Sequence, residues 1–276
     1  MQWLYGFPDL SILCILMGSS LLVTRLFHMV IHRYATGKIP EDGHRLATSL
    51  HESIVMLSSL ILTFSLIQVL NDTHTLETTV SVEASQINNL DQLLLRYDDA
   101  AASTIRPLLH AYAQSIVTDE WPDLIKGHGS EVTLEKYSAV SEKTFNLHAG
   151  SARQLCLYSA AVALIEKLAQ SREDRIQTTE NKLPIVYWYV IVAGLLAKLI
   201  TSSLLERGKL SALVMSLQMI ALSGMVSLVF IFDQPYQGES GIKPNAINRI
   251  INVMQARDVT LARQDGDKLS AARNSR

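Results

Sequence analysis

Two cysteines in 276 residues exclude a disulfide-stapled scaffold and a cysteine-rich metal module. Cys14 falls in an apolar stretch and Cys156 in a polar one, and neither has a CxxC partner. Proline is scarce at seven, so long helices go uninterrupted, and no run alternates apolar and polar residues as a half-buried strand would. The sequence also lacks a nucleophile elbow, a P-loop, a dinucleotide fingerprint and paired catalytic carboxylates, which argues against an enzyme and against a cofactor. No basic face marks a nucleic-acid footprint; the formal net charge is −2.

What is present is apolar. The hydrophobic share is 48%, and the surplus sits in four runs: Asp9 to Ile31, Ser53 to Leu70, Pro184 to Leu205 and Ser211 to Phe232. Each is long enough, at 1.5 Å rise per residue, to cross the ~30 Å hydrocarbon core of a bilayer. A helix in a soluble core would be shorter and keep a polar stripe. The first run could also be a signal peptide. Met1 to Pro8, however, carries no Lys or Arg and no small-x-small site precedes Arg25, which predicts an uncleaved helix. The partner of these runs is therefore the lipid bilayer.

Between the second and third runs the pattern changes. Leu76, Val80, Ile87, Leu90, Leu94 and Tyr97 recur at helical spacing and predict an amphipathic helix continuing beyond the second run, broken at Asp98 and Asp99. Ser103 is the expected N-cap of the next helix, with Pro107 near its first turn and an end at Trp121-Pro122. Further helices are predicted from about Leu134 to Phe145 and from Ser151 to about Arg175, the latter with Leu155, Tyr158, Val162, Ile165 and Leu168 on one face. Beyond Gly241, Asn245 to Val259 reads as amphipathic through Ile247, Ile250, Ile251 and Met254, with Pro244 at N1, and the last residues, RQDGDKLSAARNSR, as disordered. The fold class is thus all-α: four transmembrane helices with a helical bundle inserted between the second and third. The divisions are 1–72, 73–183, 184–233 and 234–276.

Polar residues inside the runs are the candidate functional groups. Ser58, Ser65 and Gln68 in the second run, Lys198 and Thr201 in the third, and Ser216, Gln218, Ser223 and Ser227 in the fourth recur at helical spacing. Such stripes either let helices approach closely or line a wet pathway. Arg25 and Lys198 lie near helix ends and can snorkel, while an ionisable group at that depth is a functional candidate by default. His28 and His32, at i and i+4, with His44 and His51 in the following loop, could face a metal; packing at the headgroups is the plainer reading, and no metal site is assigned. The fourth run ends in FIFDQPYQGESGI. Asp233 can be hydrated there, Pro235 ends the helix and Gly238 permits a sharp turn.

That terminator, Asp-x-Pro followed by an aromatic residue and Gly, resembles the close of the bacterial bestrophin-like family. The basic loop RYATGKIP, the second helix running into ILTFSLIQVLNDTHTLETTVSVEASQINNLDQLLLRYD, the Trp-Pro pair after Glu120 and the Leu183-Pro184 opening of the third helix fit the same order over residues 1 to 252. GHRLATSLHES departs from the family's paired His and Ser-Lys-Asp run. The resemblance implies a multi-pass protein of the bacterial inner membrane, with four helices and a helical soluble portion. It also suggests a homo-oligomeric ion channel, because one four-helix protomer is too thin to enclose a pore. The alternative is a non-conducting sensor or scaffold. Residues 71–95 hold no basic residue, whereas the short loops carry Arg33, Lys38, Arg45, Arg207 and Lys209, which places the loops in the cytoplasm and the helical domain outside. Arg172, Arg175 and Lys182 oppose that orientation.

Overall fold

The computed structural model describes residues 7–34, 41–97, 99–179, 182–205 and 208–274; of the side chains of His32, Tyr34, Glu41, Asp42 and 265–274 nothing is used. Among the described residues all regular structure is helical: α1 (Asp9–Tyr34), α2 (Glu41–Tyr97), α3 (Ala100–Ser115), α4 (Trp121–Lys126), α5 (Glu131–Phe145), α6 (Ala152–Gln177), α7 (Ile185–Leu205), α8 (Lys209–Phe232) and α9 (Asn245–Asn274). The chain divides into two units, residues 1–74 with 181–242 and residues 75–180 with 243–276.

The first unit holds the four helices long and apolar enough to cross a membrane: α1, α2, α7 and α8. Their inward contacts are few and specific. Leu62 of α2, Ile191 of α7 and Leu222 of α8 form one buried cluster, and Val69, Leu183 and Val229 another. Many large apolar side chains point outward: Leu22, Met29, Met56, Val186 and Leu213 are exposed, as a lipid-facing surface requires. One expectation is corrected here. The second membrane helix does not begin after a loop at Ser53; the GHRLATSLHES stretch is already helical, so His44 and His51 lie on α2. The RYATGKIP loop falls largely outside the described residues.

The second unit begins within the same α2. Leu76, Val80, Ile87, Leu90, Leu94 and Tyr97 are all buried, as their spacing predicts. The start of α3 differs from the sequence reading: Asp99, not Ser103, is the N-cap, its Oδ1 accepting from the Ala101 N–H at 3.2 Å. Pro107 is therefore interior to α3, where it removes one helical N–H. Nor does the chain stop at Trp121-Pro122. Ile116 to Glu120 form a π-helical turn that passes directly into α4, and Pro122 sits in the first turn of α4, where its missing N–H costs nothing. Gly127, at φ 96°, ends α4.

The fifth helix opens at Glu131 rather than Leu134. For α6, Ser151 is the N-cap, its Oγ accepting from the Gln154 N–H at 3.1 Å. Ile165 and Leu168 are buried on α6 as expected, but Leu155 is exposed, and the buried face continues instead through Ser171, Arg172 and Arg175. The tail also departs from expectation. Ile247 and Met254 dock, Ile250 and Ile251 are half-buried, and the helix runs on through the segment read as disordered to Asn274. Pro244 precedes α9, its carbonyl accepting from Asn248.

Charged side chains hold this second unit together at its centre. Arg175 and Glu83 are fully buried and paired, Nε to Oε2 at 2.8 Å and Nη2 to Oε1 at 3.1 Å. Arg175 also reaches Glu120 at 2.8 Å, while Arg172 meets the other oxygen of Glu120 at 2.6 Å and Tyr112 donates to Glu83 at 3.1 Å. Two carboxylates face two guanidiniums, so burial leaves no net charge. A second cluster fastens α9: buried Asp91 accepts from Arg106 and Arg257, and Asp258 accepts from Arg106 at 2.5 Å.

Candidate functional site

The polar residues singled out in the sequence lie in the first unit, and most face inward. On α2, Ser58 is buried against α7: a Cβ on Gly194 would come within 2.6 Å of Ser58 Oγ, so glycine at 194 is what permits this approach. Ser65 is fully buried and donates to the Ile61 carbonyl at 2.9 Å. Gln68 differs. It is exposed, donating to Asp72 one turn on at 3.1 Å.

The α7 and α8 groups interlock. Lys198 is fully buried, and its Nζ donates to the Met215 carbonyl of α8 at 3.0 Å. Ser216 Oγ donates to the Ala212 carbonyl at 2.6 Å and accepts from Arg25 of α1 at 3.1 Å. Ser223 meets Ser20 of α1 at 3.0 Å, and Ser227, fully buried, donates to the Ser223 carbonyl at 2.7 Å. Thr201 Oγ1 lies 3.0 Å from the Ala197 carbonyl and 3.1 Å from that of Lys198.

The organising residue is one that sequence reasoning placed in a loop. His51 of α2 is buried, with Nδ1 2.9 Å from Thr201 Oγ1 and Nε2 2.9 Å from Gln218 Oε1. Since an amide oxygen only accepts, Nε2 carries a proton. The Thr201 hydroxyl has one proton, for which Nδ1 and the carbonyls of its own helix compete. Three basic side chains from three helices, Arg25, His51 and Lys198, thus contact α8 between Met215 and Gln218. A signal for His51 existed: it lies seven residues before Ser58 and fourteen before Ser65, on the same helical face.

At the other end of this unit Asp233 is more than a terminator. Its Oδ1 accepts from the Leu183 N–H at 2.7 Å, so the residue that ends α8 also caps the entrance to α7. Burial raises its proton affinity above that of an ordinary carboxyl, and the Leu183 N–H acts against that rise. The Pro235 carbonyl accepts from Ile242 at 2.8 Å, Gly238 has φ 79°, and a Cβ on Gly241 would stand 2.6 Å from the Gln237 carbonyl. Glycine at 238 relieves a left-handed backbone; glycine at 241 relieves a close approach. Among the described residues no group of three or more His, Cys, Asp or Glu is placed to hold a metal; of His28 and His32, the side chain of His32 lies outside the described ones.

The Bestrophin-like domain pattern matches residues 18–247. Three point variants of a bacterial bestrophin homologue from Klebsiella pneumoniae are similar in fold. One aligns at TM-score 0.62 and 13% identity over 88% of this chain and 97% of that one, the second at 0.61 and 14% over 88% and 97%, and the third at 0.60 and 12% over 88% and 99%. No curated protein matches the sequence.

Proposed function

Because this chain belongs to the bestrophin-like family, we propose that it is a homo-oligomeric ion channel of the bacterial inner membrane, with α2 lining the conduit. The observation that carries this is α2 itself. It is 57 residues long, about 85 Å at 1.5 Å per residue, and contributes to both units.

The face that α2 leaves uncovered has the chemistry of a gate. Leu57, Leu60, Phe64 and Ile67 are exposed in the membrane unit, followed by Gln68 and then the exposed polar residues Asn71, Glu77, Thr78, Ser81 and Ser85. A ring of Leu60, Phe64 and Ile67, repeated by symmetry, would form an apolar constriction that conducts only when wetted. Ser58, Ser65, Lys198, Thr201, Ser216, Gln218, Ser223 and Ser227 then serve packing, since they are spent on partners inside the protomer. No catalytic role is assigned to any residue. The basic short loops argue for the helical unit on the extracytoplasmic side of that membrane. A reporter fused after Arg276 tests that side.

The deciding experiment is native mass measurement of the purified protein followed by bilayer recording of wild type and Phe64→Ala. A closed ring, with conductance raised several-fold by Phe64→Ala, is expected. A monomer, or a ring that never conducts, would replace this reading with a non-conducting sensor or scaffold.

A further inference from the structure

The third helix carries a proline in its interior, and a cavity opens on the same face. Pro107 has no N–H to give the carbonyl of Ser103 four residues earlier, so that acceptor loses its helical partner. Ser103, Arg106, Pro107, His110 and Ala111 of α3, with Asp258 of α9, line a cavity of about 360 Å³, within the ~300–1,000 Å³ range of small-molecule sites. All of these residues belong to the second unit.

His110 adds further unmet acceptors. Its Nε2 is buried without a hydrogen bond, 3.5 Å from Oδ1 of the fully buried Asp91, and its Nδ1 stands 3.6 Å from Asp258 Oδ2. A neutral ring has one N–H, and placing it on Nε2 keeps the lone pair away from the buried carboxylate. Nδ1 and Asp258 Oδ2 then face each other as two acceptors, with no donor between them among the described residues. On the donor side, Arg106 commits Nε and Nη2 to Asp91 and Asp258, and among the described residues nothing accepts from its Nη1.

The fixed charges around the cavity balance, Asp91 and Asp258 against Arg106 and Arg257, and they are joined in ion pairs. An anion would meet Asp258 and a cation Arg106, each without a surplus counter-charge. What is left is hydrogen bonding: the Ser103 carbonyl, His110 Nδ1 and Asp258 Oδ2 as acceptors and Arg106 Nη1 as donor, along about 10 Å of α3 between Ser103 and His110. A hydroxyl both donates and accepts, and several on one chain or ring span that length. We propose that the cavity is a binding site for a small neutral polyhydroxyl molecule, a sugar or sugar alcohol, whose C–H face rests on Pro107 and Ala111. The site lies in the second unit and stands whether or not the protein conducts.

The test is a saturation-transfer NMR titration of the full chain, in a detergent without a sugar headgroup, with D-glucose and D-sorbitol as ring and open-chain probes. Saturable binding is the readout, because sugars raise the melting temperature of proteins generally by exclusion from the surface. At least one probe should saturate the wild type. Ala111→Leu, which fills the cavity and leaves every charge in place, should abolish that binding. Pro107→Ala, which returns an N–H to the Ser103 carbonyl, should weaken it several-fold without lowering the melting temperature. Failure of both probes to saturate at high millimolar concentration overturns the proposal, as does equal affinity in Ala111→Leu or saturation by glycine or putrescine in their place. Should Ala111→Leu not fold, Pro107→Ala decides, and unchanged affinity there overturns the site.

Discussion

The two units of this molecule bury charge in opposite ways. In the extramembrane unit Glu83, Glu120, Arg172 and Arg175 are buried together, and each cation has a carboxylate within hydrogen-bonding distance. In the membrane unit the buried Lys198 has a carbonyl, and the buried His51 a hydroxyl and an amide. The first arrangement is self-sufficient in charge: two carboxylates face two guanidiniums, and attraction inside the protein offsets part of the lost hydration. The second leaves Lys198 with no carboxylate beside it among the described residues. A membrane segment that avoids acids to keep its insertion cost low has few internal counter-charges to offer.

Replacing one cation in each unit by the same apolar residue should separate the two cases most sharply. Arg175→Met strands Glu83 and Glu120 without their shared partner, and a loss of about 3 to 5 kcal/mol is expected, enough to abolish cooperative unfolding of that unit. Lys198→Met removes a buried amine that has no carboxylate partner among the described residues and should be neutral or stabilising. Thermal unfolding followed by circular dichroism reads both. Losses of equal size would erase the distinction between the units.

A smaller effect is expected at Asp233. Its carboxylate accepts from the Leu183 N–H, so Asp233→Ala should cost about 1 to 3 kcal/mol through an unsatisfied donor, while Asp233→Asn, which keeps an acceptor oxygen, should cost less. The ratio of the two sharpens the comparison, because it measures how much of a membrane-end contact is hydrogen bond and how much is charge. The smallest effect belongs to the surface of the other unit. Lys126 and Asp123 pair at 2.8 Å on the outer side of α4, and Lys126→Ala should leave stability essentially unchanged, read by the same melts.

The membrane helices were legible because length and apolar content are the signal itself, and α2 beyond Leu70 because its burial follows one clean stripe from Leu76 to Tyr97. The start of α3 was not, because two good N-caps, Asp99 and Ser103, compete four residues apart and tertiary packing chooses between them. The π turn before Trp121 escaped notice for a physical reason: its hydrogen bonds run one residue longer than those of an α-helix, so it shifts Glu120 inward without altering composition. On α6 the apolar stripe gives way to Arg172 and Arg175, and a reading that follows hydrophobic residues ends where the buried ion pairs begin. Among the candidate groups, the inward stripes of α7 and α8 were visible as spacing. The contacts that His51 and Arg25 make with those stripes were not, since pairing across helices leaves no periodic trace.

The contact between Asp233 and Leu183 also bears on how the chain is made. Leu183 precedes α7 and Asp233 follows α8, fifty residues later, so the two helices are clasped at the end opposite their short connection. During synthesis that clasp can close only after α8 has emerged in full. Until then α7 presents a buried lysine and a free N–H with no mate, which favours integration of the two helices as one hairpin over insertion one at a time. A ribosome paused before Asp233 should therefore hold α7 in a state easily extracted from the membrane.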